Sequence, residues 1–92
     1  MKDRHTPERA EILALEALAW LAGRPQDIDR FLANSGLGAG ELRHAAGQPH
    51  LLGAVLEFLL ANEPLLLDFC QDTSTLAKAV HIARHQLEAA CG

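Results

Sequence analysis

The chain has 92 residues, enough for one hydrophobic core that buries roughly 60–65% of the surface exposed by its unfolded form, and too few for a second core. A formal charge of -4 argues against a nucleic-acid footprint, which shows as a basic stripe, and against attraction to an anionic membrane surface. Hydrophobic residues make up 49%, yet no apolar run approaches the roughly 20 residues that span a bilayer, because Glu57, Asn62, Glu63 and Asp68 cut the longest candidate.

Met1 to His5 is charged and is expected to fray, so the organised domain within residues 1–92 begins at Thr6-Pro7. The threonine hydroxyl suits a helix start and proline is pre-set for the first helical position, which predicts a helix over Pro7 to Ala22 closed by Gly23 as a left-handed cap. Lys2, Arg4 and Arg9 ahead of the alanine- and leucine-rich stretch imitate a secretory signal. Glu11 and Glu16 put two carboxylates into its apolar region, and such a signal tolerates neither. Projected at about 100° per residue, Ile12, Leu13, Leu15, Leu18, Trp20 and Leu21 cover most of the circumference. That pattern predicts a helix enclosed at the centre of the bundle or lying in a subunit interface.

Arg24-Pro25 restarts a second helix to about Asn34, with Ile28, Phe31 and Leu32 inward and Gln26, Asp27, Asp29 and Arg30 outward. Asn34-Ser35-Gly36-Leu37 reads as a glycine cap followed by the apolar residue that folds back on the last turn. Gly38-Ala39-Gly40 opens a third helix through Leu42 and Ala45, softened because glycine lowers helix propensity by up to about 1 kcal/mol relative to alanine. Gln48-Pro49 starts a fourth, whose Leu51, Leu52, Val55, Leu56, Phe58, Leu59 and Leu60 span more arc than one neighbour needs. Asn62 is placed to cap a fifth helix with Pro64 in its first turn and Leu65, Leu66, Phe69 and Cys70 inward. Thr73 or Ser74 is expected to cap the last, where Leu76, Val80, Ala83 and Leu87 form an apolar stripe. No stretch alternates with period two over strand length, so the chain is read as all-α, a compact orthogonal bundle of five or six short helices.

Chemistry-bearing patterns are sparse. Phe31 to His44 has the cadence of a helix-turn-helix, which makes a DNA-binding regulator the alternative reading, but the exposed face of its second helix offers Gly40, Glu41, Arg43 and His44, with one firm positive charge, so nucleic acid is not the expected partner. His81 and His85 stand four apart on one helix face, a spacing zinc sites use, and Glu88 extends that side; histidines aligned on a solvated face account for the pattern equally. No further ligands share that spacing, so no metal or cofactor is assigned. Cys70 sits in an apolar run and Cys91 one residue from the end, too few and ill-placed for a disulfide framework. The expected compartment is a reducing cytoplasm and the expected activity is not enzymatic, since no nucleophile-base pair or phosphate-binding glycine loop is present.

What remains is surplus apolar surface on the first, fourth and fifth helices. Either the bundle consumes it internally, or it marks a protein partner or a homodimer. Trp20, a residue type enriched at interface anchors, is singled out with Leu60 and Leu67 as the candidate interaction surface.

Taken in order, Leu18-Ala19-Trp20-Leu21-Ala22-Gly23, Arg30-Phe31-Leu32, Ser35-Gly36-Leu37, Glu41-Leu42-Arg43, Leu51-Leu52, Val55-Leu56-Glu57-Phe58-Leu59-Leu60 and Asn62-Glu63 before Leu65-Leu66-Leu67 resemble a family of small α-proteobacterial proteins, the domain of unknown function numbered 3572. The likeness runs from about Ala14 to Leu87. Its motifs are core and cap residues, so it implies a helical fold and no catalytic or binding positions. The chain departs from that pattern at Arg24 and Gly38-Ala39, where acidic or proline residues usually start helices.

Overall fold

Proline and glycine punctuate the described residues into five helices: α1 (Glu8–Ala22), α2 (Pro25–Ser35), α3 (Pro49–Ala61), α4 (Glu63–Thr73) and α5 (Ala77–Cys91). The structure, a computed structural model, describes residues 8–38, 40, 41, 44 and 48–91, with the backbone alone at 49, 90 and 91. No strand occurs among them, and the fold is an all-α bundle. The expected fraying before Thr6, the Thr6-Pro7 start and most of the third predicted helix, including Leu42 and Ala45, lie outside the described residues.

The centre of the bundle is α3. Its Leu51, Leu52, Val55, Leu56, Phe58 and Leu59 are all buried, on an arc no single neighbour covers, and α3 packs against α1, α2, α4 and α5. Burying each such side chain contributes about 1.5–3 kcal/mol, so enclosing this helix is a large favourable term. The wide apolar arc read from the sequence is therefore used internally.

In α1 the structure corrects the expected orientation. The buried face is Ala10, Ala14, Ala17 and Leu21, while Ile12 and Leu15 are 52% and 42% exposed. Interaxial distance follows the size of the side chains at a crossing, and the alanines allow α1 to lie against both α3 and α5. The expected place at the bundle's centre belongs to α3. Gly23 is not the left-handed cap either: Gly36 is the only positive-φ glycine among the described residues. Instead α1 tightens at its end, with the Gly23 and Arg24 amides donating to the Trp20 and Leu21 carbonyls.

Further along, α2 behaves as its sequence predicts. Phe31 is buried, Ile28 and Leu32 pack against the core, and Gly36 adopts φ 74°. The Gly36 and Leu37 amides both donate to the Leu32 carbonyl, and Leu37 packs back on the core, which is the glycine-capped helix end. Phe31 meets Phe58 edge-on, ring centroids 5.5 Å apart, fixing α2 to α3.

A bend of 109° separates α3 from α4, and Asn62 makes it. Expected to cap α4, its side chain serves α3 instead: Nδ2 donates to the Phe58 carbonyl at 2.7 Å. Its Oδ1 accepts from Arg30 Nη2 at 3.3 Å, and only its backbone carbonyl opens α4, accepting from the Leu66 amide. Leu65, Leu66 and Phe69 are buried as expected. The cap expected for α5 is also corrected. Thr73 ends α4, its hydroxyl donating to the Phe69 carbonyl at 2.7 Å, and Ser74 closes that helix at φ 56°. The Leu76 carbonyl opens α5 by accepting from Ala79 and Val80. This position before the helix turns Leu76 outward, 73% exposed, so the α5 stripe is Val80, Ala83 and Leu87, joined by Ala77.

No single helix among the described residues is long and apolar enough to cross a membrane. The α3–α4 pair passes such a test jointly but is broken by its bend, and its large apolar side chains are mostly buried.

The inward alanines yield a direct test. Ala17→Leu should lower stability by about 1–3 kcal/mol by overpacking the crossing, whereas Leu15→Ser should stay within about 0.5 kcal/mol. Urea unfolding followed by circular dichroism measures both, and the reverse ranking would reject this orientation of α1.

Candidate interaction surface

Trp20 leaves the last full turn of α1 toward α4. Its ring meets Phe69 edge-on, centroids 5.4 Å apart with the planes at 71°. Its indole Nε1 donates to Asp72 Oδ2 at 2.9 Å, and the Arg24 guanidinium lies 4.6 Å from the ring centroid. Arg24 in turn donates through Nε to Asp27 Oδ2 at 2.7 Å and reaches Asp68 at 3.5 Å. The hydrogen bond to Asp27 raises the guanidinium pKa against partial desolvation, with the charges of Asp27, Asp68 and Asp72 adding to it.

Of the three residues singled out from the sequence, Trp20 thus has its ring and its N–H engaged within the fold. Leu60 is half-buried and packed against the core. Leu67 is 55% exposed. Asp72, which holds Trp20, and Leu67 are five residues apart on α4, about 140° around its axis, so Trp20 and Leu67 belong to different flanks of that helix. The large apolar side chains that do reach solvent among the described residues are Ile12, Leu15, Leu67, Leu76 and Ile82. The sequence points Ile12 and Leu15 inward, because their hydrophobicity outranks that of alanine and nothing in it reveals how closely α1 approaches its neighbours.

His81 and His85 are exposed on α5. Glu88, expected to extend their side, accepts from Arg84 at 3.3 Å, and no three metal-ligating side chains converge among the described residues. Of the helix-turn-helix pattern, α2 and the Gly36 turn are formed, while Leu42 and Arg43 lie outside the described residues.

Two shallow clefts flank the less apolar side of α3. One, of about 180 Å³, is lined by Gly53, Ala54 and Leu87 together with His50, Glu57, Arg84 and Glu88. The other, of about 240 Å³, shares Ala54 and Glu57 and reaches Phe31 and Phe58 on the α2 side. The sequence places these α3 residues on one helix side, but the walls come from α2 and α5 and leave no local signal. A third cleft separates α1 from α5, between Leu13 and Ile82. Buried polar side chains are absent among the described residues. Cys70 is half-buried, and burial pushes its thiol above the usual range, the opposite of what an activated nucleophile needs.

The model of the family described as Protein of unknown function (DUF3572) matches residues 7–90, and the chain belongs to that family. Searches of the curated proteins and of the solved structures return no match.

Two measurements check this geometry. A double-mutant cycle of Trp20→Phe with Asp72→Ala should give a coupling of about 0.5–1 kcal/mol in urea unfolding; zero coupling would mean that solvent replaces the bond. In a Cys91→Ser chain, Cys70 should react with Ellman's reagent about tenfold more slowly in buffer than in denaturant. Equal rates would show an accessible, unshifted thiol.

Proposed function

Proceeding from membership of that family, we propose that the chain is a non-enzymatic interaction module of the cytoplasm that binds a protein partner or a second copy of itself. The observation that carries this reading is the split, among the described residues, between a core without polar side chains and five large apolar residues left in solvent. Scattered single hydrophobics are ordinary on protein surfaces, but Ile12 and Leu15 share one helix face, and paired apolar residues at that spacing are how helices contact partners. The acidic balance supports a protein over a nucleic acid as partner.

Size decides the reading. In extracts of the native host the chain should elute well above its 9.9 kDa monomer mass, and serine at one of two exposed leucines, Leu15 on α1 or Leu67 on α4, should return it to that mass without unfolding it. Elution as a monomer in extract, together with a monomer by light scattering over a concentrated dilution series, would remove the interaction reading.

A further inference from the structure

Resting on that reading, we propose that the outer face of α1 is a docking ridge for an amphipathic helix of a different protein, one that carries basic residues beside its apolar stripe. The ridge is Ile12, Leu15 and Ala19, spaced three and four residues apart. On a helical projection it lies roughly 160° from the buried Ala10, Ala14, Ala17 and Leu21, so α1 is apolar on two opposite sides. All three ridge residues are exposed.

Charge selects the occupant. Glu11 borders the ridge on one side and Glu16 on the other, while Glu8 stands at its N-terminal end; Arg9, the sole cation of α1, lies on the Glu16 side. Arg9 also lines the cleft toward α5 with Leu13 and Ile82, away from the ridge crest. The next cation along the chain, Arg24, is held by Asp27 and Asp68. An apolar crest between carboxylates is complementary to an apolar stripe between lysines or arginines, as opposite charges flanking a helix pair set partner choice.

A second copy fits this face poorly. Antiparallel pairing about a two-fold axis through Leu15 brings the two Glu16 side chains together at the centre, and like charges so placed are unfavourable. Duplex nucleic acid and anionic lipid are repelled by the same carboxylates. Leu67 and Leu76 are each the lone exposed large aliphatic of their segment and lack such a flanking pattern.

The test uses two synthetic helical peptides of about 18 residues with the same leucine stripe, one flanked by lysines and one by glutamates, titrated against the full chain by fluorescence anisotropy. The lysine-flanked peptide should bind at least about tenfold more tightly than its glutamate counterpart. Leu15→Ser should weaken it by about tenfold, a typical loss for an interface anchor, and Leu67→Ser should leave it unchanged. Glu11→Lys with Glu16→Lys should reverse the preference between peptides; this arm decides alone if a serine variant fails to fold by circular dichroism. Equal or absent binding of the two peptides, or a homodimer that Leu15→Ser dissolves, would overturn the proposal. Loss on Leu67→Ser instead of Leu15→Ser would overturn this ridge but leave the interaction reading standing. That broader reading falls separately, if the chain is monomeric in the native host.

Discussion

A helix that is apolar around most of its circumference has to be enclosed, and α3 imposes that requirement on the rest of this chain. Leu52, Val55, Leu56 and Leu59 lose all but about 1% of their exposure or less, and no arrangement of one or two partners achieves that for an arc so wide. Four helices surround it: α1 and α5 side by side, α2 through the Phe31–Phe58 contact, and α4 folded across after the bend at Asn62. The short connections from α1 to α2, α3 to α4 and α4 to α5 serve the same demand.

Because the core contains no polar side chain among the described residues, it specifies proximity better than register. Polar groups at the helix ends supply the register. Asn62 ties the end of α3 to α2, Thr73 closes α4 on the Phe69 carbonyl, and Trp20 joins α1 to α4 by an edge contact and a bond to Asp72. Each is worth only about 1 kcal/mol. They act where the backbone would otherwise be left unpaired or free to slide, and so decide between packings that the apolar contacts alone rank nearly equally.

Several features with a local cause are legible in the sequence, although the glycine ending α1, Gly23, does not take the left-handed cap its position suggests. The Gly36 cap needs only a left-handed residue followed by an apolar one, and the α3 arc needs only its own periodicity. Errors came where a second element decides. Leu76 continues the α5 stripe in projection but lies before the first helical turn, because Ser74 takes the left-handed position that ends α4. Asn62 and Thr73 have side chains suited to helix starts, yet each bonds backward to the helix it closes. Trp20 was legible as a distinctive residue, but its partners, Phe69 and Asp72, come from a helix some fifty residues away, and their engagement of the ring has no signature near Trp20.

The most instructive case is α1, where hydrophobicity and burial run in opposite directions. Rotating the helix to bury Ile12 and Leu15 would insert branched side chains where Ala14 and Ala17 now sit, pushing α1 outward and loosening the Trp20–Phe69 contact. Close approach at the crossing is therefore favoured over burial of the larger residues, since interiors tolerate added volume poorly. That accounts for what faces inward and leaves the outward choice unforced. At an exposed helix position alanine, glutamate or lysine forms helix better than isoleucine, and each leaves less apolar surface in water. Folding thus supplies no reason for Ile12 on the outer face of α1, whereas Leu15 is itself a strong helix former.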